Sequence, residues 1–165
     1  MQTGAGDGLR LDVWQGDANM LAVSSGQVIK GSGPTIGFVG LPISGVGGAV
    51  FVDIPALPTS GSIYLDLFRG TLGGSPDGYR LEINTSGMRL RERVSGTINT
   101  LSGYQTLSAG DRIGIRYAGG VLTAYLNGAA VLTSAATALT LNGFVGFAQA
   151  NGVGFAFDNF DTEIY

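Results

Sequence analysis

The stretch Asp111–Gly128, DRIGIRYAGGVLTAYLNG, decides the class of fold. Ile113, Ile115 and Tyr117 alternate with Arg112, Gly114 and Arg116, and after Gly119-Gly120, Leu122, Ala124 and Leu126 alternate with Thr123, Tyr125 and Asn127. A period of two places successive side chains on opposite faces of a strand. With Gly119-Gly120 as a two-residue loop, Tyr117 pairs with Leu122, Ile115 with Ala124 and Ile113 with Leu126, so both strands turn their apolar sets to the same face. Asn127-Gly128 supplies a second tight turn, a dipeptide suited to a turn with positive φ at both central positions. A three-strand antiparallel meander follows.

Working outward, the same alternation recurs. A second hairpin centres on Thr85-Ser86: Tyr79, Leu81 and Ile83 face inward with Met88, Leu90 and Glu92, while Arg80, Glu82, Arg89, Arg91 and Arg93 share the opposite face. This register sets Glu82 across from Arg89 and Arg80 across from Arg91, one attractive and one repulsive pair, leaving a basic surplus. Leu9–Trp14, Ala49–Ile54, Ile63–Phe68, Phe144–Phe147 and Gly154–Phe157 also read as strands bounded by Gly, Pro, Asn or Ser, and no stretch has a convincing helical period. Many short strands in a chain of this size imply an all-β, two-sheet antiparallel β-sandwich of jelly-roll type, residues 1–165 forming one domain.

Composition narrows the function. Nine Lys and Arg against twelve Asp and Glu give a net charge of −3, with no basic tail, which excludes ordinary nucleic-acid binding. The chain has no cysteine and no histidine, so thiol nucleophiles, Ser-His-Asp triads and imidazole metal sites are unavailable. No apolar run approaches the ~20 residues of a membrane helix, so no membrane insertion is expected. Charge is absent from Gly31 to Val52 and again over the 41 residues from Tyr117 to Phe157. An exposed strand face ordinarily carries charge, so such runs point to surface that meets another surface, or to strands kept soluble by Ser, Thr, Asn and Gln alone.

The order Gly110-Asp111-Arg112-Ile113-Gly114-Ile115-Arg116-Tyr117, Gly120–Gly128, Gly143-Phe144-Val145-Gly146-Phe147 and Phe157-Asp158-Asn159-Phe160 resembles the C-terminal half of concanavalin A-like lectin/glucanase domains, laminin-G-like modules included. The resemblance covers roughly Asp77 to Tyr165. It implies two antiparallel sheets, one of them concave, and carbohydrate binding as a frequent role. It also implies a structural calcium held by an aspartate of the last strand, a place that Asp158 occupies. The switch from Phe155 and Phe157 to Phe160 across Asp158-Asn159 suggests a bulge that would aim oxygens at such a cation.

The same fold hosts hydrolases, but the E-x-D-x-x-E run of its laminarinase-like branch is missing. The glutamates are Glu82, Glu92 and Glu163, and only Glu163 has a carboxylate two residues away, at Asp161. A non-enzymatic protein is therefore expected. For a glycan the candidate residues are Trp14, whose parity is that of Arg10 and Asp12, and a patch of Arg112, Arg116, Tyr125 and Asn127, where a flat ring lies beside hydrogen-bonding groups. Arg89, Arg91 and Arg93 form a further basic face, suited to an acidic partner or polysaccharide if not simply solvated. The expectation is a virion-associated structural protein, of capsid-decoration or tail type, that carries a lectin-like domain on the virion surface. Its partners would be other copies, other virion proteins or a cell-surface glycan. The alternative is an extracellular carbohydrate-binding module of a bacterial polysaccharide-active system.

Overall fold

The computed structural model describes residues 15–16, 21–25, 27–31, 36–71, 76–139 and 142–165. Among them lie fourteen strands: β1 (Gln15–Gly16), β2 (Leu21–Ser24), β3 (Gln27–Lys30), β4 (Ile36–Ser44), β5 (Gly48–Ala56), β6 (Ser60–Arg69), β7 (Gly78–Asn84), β8 (Gly87–Val94), β9 (Thr97–Thr100), β10 (Asp111–Ala118), β11 (Val121–Leu126), β12 (Ala129–Ala135), β13 (Asn142–Val153) and β14 (Ala156–Ile164). They form two seven-stranded sheets, one ordered β1-β4-β13-β6-β7-β8-β9 and the other β12-β11-β10-β5-β14-β3-β2, with every pairing antiparallel. The all-β sandwich expected from the alternation is present, and no helix occurs among the described residues.

Both hairpins have the register that their apolar patterns require. Tyr117 pairs with Leu122, Ile115 with Ala124 and Ile113 with Leu126; Glu82 pairs with Arg89 and Arg80 with Arg91. Asn127 and Gly128 have φ of 52° and 83°, and Gly119 and Gly120 have 56° and 80°, the left-handed pairs of primed turns. Between the sheets, Val50, Val52, Ile54, Ile113 and Ile115 meet Ile63, Leu65, Leu67, Leu81 and Ile83, all buried. Two stacked ring pairs span the gap, Tyr79 on Tyr117 at 4.6 Å and Phe147 on Phe157 at 4.8 Å. Gly114 on β10 leaves room for the ring of its cross-strand neighbour Phe51 on β5, because a Cβ there would lie 2.1 Å from that ring.

Three features depart from a simple alternation of apolar-in and polar-out, each for a physical reason. Glu92 faces inward, as expected, and is buried; it accepts hydrogen bonds from the Thr137 amide (2.8 Å), the Thr137 hydroxyl (2.9 Å) and the Asn99 side chain (3.2 Å). In β14 the register against β5 shifts on both sides of Asp158, and Asn159 has a φ of 49°, so the bulge expected there exists. In β6 the sequence Leu65-Asp66-Leu67-Phe68-Arg69 sets a conflict: strict alternation would turn Phe68 out and Arg69 in. The strand answers with an extra residue, since Asp66 pairs with Gly146 and Arg69 with Phe144, three steps against two. Phe68 takes a φ of 53° and is buried, and Arg69 returns to the side of Asp66. A left-handed bulky residue costs on the order of 1–3 kcal/mol. Burying a Phe side chain returns roughly as much, and a buried unpaired guanidinium would cost several kcal/mol, so the bulge wins.

The neutral runs have a mixed explanation. The stretch Tyr117–Phe157 includes β13, which lies inside the first sheet between β4 and β6, where Gly146 and Ala148 are buried. Its neutrality reflects interior position. β11 and β12, at the edge of the other sheet, leave part of that neutral surface exposed. The strand read at Leu9–Trp14 lies outside the described residues.

Candidate functional site

The residues singled out by sequence do fall together on the outer face of the second sheet, with the exception of Trp14, which lies outside the described residues. Arg112 of β10 stands opposite Asp53 of β5, and Tyr125 of β11 opposite Gly114. Their bonding capacity is turned inward on the protein. Arg112 Nη1 donates to Asp53 Oδ1 at 2.9 Å and to the Asn159 carbonyl at 3.2 Å, and its Nη2 lies 3.8 Å from Asp161. Arg116 Nε donates to the Tyr165 hydroxyl at 2.8 Å, a bond that raises the Arg116 pKa. Asn127 is spent on its own turn, accepting the Arg112 amide at 2.9 Å and donating to Asp111 at 2.9 Å. The Tyr125 ring meets Phe51 edge-on at 5.8 Å.

The Asp158 carboxylate accepts the amide of Asn159 at 2.8 Å, closing the bulge. No group of three His, Cys, Asp or Glu that could hold a metal ion occurs among the described residues; Asp53 is the carboxylate paired across from Asp158. Asp161 and Glu163 are exposed on the same strand face, Asp161 facing Arg112.

A denser constellation lies on the outer face of the first sheet. β6, β7 and β8 run side by side, with Asp66 opposite Arg80 and Arg80 opposite Arg91, and with Tyr64 opposite Glu82 and Glu82 opposite Arg89. Two carboxylates organise it. Asp66 Oδ2 accepts Arg69 Nη1 at 3.0 Å and Arg80 Nη2 at 2.9 Å. Glu82 binds the Arg89 guanidinium, accepts Arg91 Nη1 at 3.1 Å and accepts the Ser62 hydroxyl at 3.1 Å. Asp66 and Glu82 are 1% and 4% exposed, so these are charges held by partners and not by water. Burial depresses the Arg69 pKa, partly countered by Asp66, whereas the bond to Glu82 raises that of Arg89.

Two aromatic rings flank the network. The Arg80 guanidinium lies 4.6 Å from the centre of the Tyr64 ring and that of Arg89 4.5 Å from Tyr104. Tyr104 is 40% exposed, and its hydroxyl accepts from Asn84 Nδ2 at 2.6 Å. The face thus offers an exposed ring, an amide and guanidiniums that are mostly buried but reach the surface at Arg89 and Arg91, on a platform fixed by buried ion pairs. The sequence reading identified Arg89, Arg91 and Arg93 as one face but missed Tyr64, Asp66, Arg69 and Tyr104, because the neighbour of β7 across the sheet was not legible from local alternation. The outward parity of Asp66 within Ile63–Phe68 was the signal available.

No protein-family model matches the chain, and no curated protein matches it by sequence. Solved structures do. The carbohydrate-binding module CBM66 from Bacillus subtilis superposes with a TM-score of 0.70 at 16% identity, over 92% of this chain and 95% of that one. Sheep galectin-11, in complex with glycerol, gives 0.58 at 11% identity over 79% and 98%. A glycosyl hydrolase-like protein of Parabacteroides distasonis gives 0.65 at 10% identity over 93% and 89%. At such identities the likeness is one of fold, and these neighbours are jelly-roll sandwiches of the lectin/glucanase kind. The chain has the concanavalin A-like jelly-roll fold that its C-terminal half resembles in sequence.

Proposed function

We propose that this protein is a non-enzymatic, lectin-like glycan-binding module whose ligand lies on the outer face of β6, β7 and β8. The observation that carries the reading is the platform itself: Tyr104 exposed beside Arg89 and Asn84, with Arg91 and Arg93 following along β8, over carboxylates fixed by ion pairs. An aromatic face stacks on the apolar side of a sugar ring while planar guanidinium and amide groups take its hydroxyls. The likeness to CBM66 and to galectins supports a carbohydrate ligand. The non-enzymatic reading draws on the same face, where both carboxylates are taken up by guanidiniums. Retaining and inverting glycosidases alike need a carboxyl group free to act as acid.

The test is a glycan array followed by titration of the best ligand against variants of each face. Tyr104→Ala and Arg89→Ala weaken binding about tenfold or more each, while Tyr125→Ala and Thr123→Ala leave it unchanged. The opposite pattern would move the site to the second sheet.

A second reading, a subunit of an assembly such as a virion surface, draws on β12. This edge strand has no charged residue, and Ala129 and Ala130 are exposed on it. Uncharged edges are templates for pairing with another chain. Light scattering after size exclusion decides it: a monomer at tens of micromolar argues against self-assembly through that edge.

A further inference from the structure

Five arginines, Arg69, Arg80, Arg89, Arg91 and Arg93, share the outer face of β6–β8 with only Asp66 and Glu82, so among the described residues of this face the balance is 5 − 2 = +3. The whole chain carries −3, so the surplus is local. Arg80 and Arg91 sit directly opposite each other, a like-charge pair that destabilises a sheet. Glu82 serves Arg91 and Arg89 together, leaving Arg91 half an anion, and the contact found for Arg93 is a long one, 3.4 Å to the Gly96 carbonyl. The Nε–H groups of Arg91 and Arg93 are both buried without an acceptor. Buried donors are ordinarily satisfied, yet neither Nε–H draws on an anion among the described residues. Residues two apart on a strand lie ~7 Å from each other, which suits one anionic group reached by two guanidiniums from either side.

From this we infer that the glycan is an acidic one, its carboxylate or sulfate held between Arg91 and Arg93 while a neighbouring sugar ring lies against Tyr104. The inference rests on the proposed glycan-binding role and adds the ligand's charge. A neutral glycan needs hydroxyl-binding groups but leaves the arginine surplus uncompensated.

The experiment uses matched pairs on the intact chain: polygalacturonate, alginate and hyaluronan against their carboxyl-reduced forms, dextran sulfate against dextran, and duplex DNA as a non-glycan polyanion. Expected is at least tenfold tighter binding to an acidic member than to its neutral counterpart, weakening as salt rises. Uronates and sulfated dextran separate a carboxylate from a sulfate site. Arg93→Gln should reduce that preference about tenfold while leaving the melting temperature in place, because Arg93 has no carboxylate partner among the described residues. Arg93→Lys should restore part of it. Equal affinity for acidic and neutral members overturns the inference but leaves the glycan role standing. Binding to no glycan overturns both. DNA bound as tightly as the best acidic glycan, or a preference unchanged in Arg93→Gln, also overturns it.

Discussion

Phe68 shows how one residue can carry a conflict between pattern and packing. Its backbone sits at a φ of 53°, which glycine would adopt without strain, yet its ring is buried and meets Tyr117 edge-on at 6.5 Å. Phe68→Gly relieves ~1 kcal/mol or more of strain but removes a buried ring worth about 3–5 kcal/mol. The variant is therefore expected to be less stable by roughly 2–3 kcal/mol in chemical denaturation. A gain in stability would mean that the strain outweighs the ring. Tyr79 is a second such residue: its hydroxyl donates to the Thr137 carbonyl at 2.7 Å and accepts from the Leu139 amide at 3.2 Å. Burial, first of all, raises its pKa above the ordinary phenol value. A raised pKa in the folded state means stability that is present below pH ~10 and falls as pH climbs above it. Tyr79→Phe is expected to cost about 1–2 kcal/mol at neutral pH and to flatten that alkaline fall, read as melting temperature against pH. An equally steep fall in the variant would assign it to other tyrosines.

At the scale of elements, the parts legible in the sequence were those set by local pattern. The β10–β11 and β7–β8 hairpins follow from apolar parity and turn residues alone, and so does the bulge at Asp158-Asn159. What local pattern leaves open is which hairpin lies beside which strand. β6 pairs with β7 over a long connection and with β13 from the far end of the chain, and it is this placement that puts Asp66 against Arg80 and Arg69. The segment 136–139 is another case, since nothing in its own sequence announces that Glu92 will anchor it across 45 positions. Together with Phe68, Gly70, Asp77 and Asn142, its residues Ala138 and Leu139 line a cleft of about 240 Å³ at the end of the sandwich. Glu92→Ala should free that segment, so the Thr137 amide loses its protection against hydrogen exchange while the β10–β11 amides keep theirs. Retained protection at Thr137 would show that other contacts hold it. Gly114→Val tests the opposite sheet: the new side chain would intrude on the Phe51 ring and is expected to destabilise by about 1–3 kcal/mol.

For the molecule as a whole, the two outer faces have different characters although both carry arginines. On the second sheet Arg112 and Arg116 are matched by Asp53, Asp161 and Tyr165. On the first sheet arginines outnumber carboxylates and an exposed ring stands beside them. The expected site of Arg112, Arg116, Tyr125 and Asn127 was a sound reading of parity. Parity tells which side chains point outward, but not which of them already have partners, since those partners come from β5 and β14, far away in the chain. The most direct measurement is the mapping of amide chemical shifts on addition of the tightest glycan from an array. The account predicts shifts concentrated in β6, β7 and β8 and at Tyr104, with β10–β12 unmoved. Shifts centred on Arg112, Arg116 and Tyr125, or no shifts with any glycan, would contradict it.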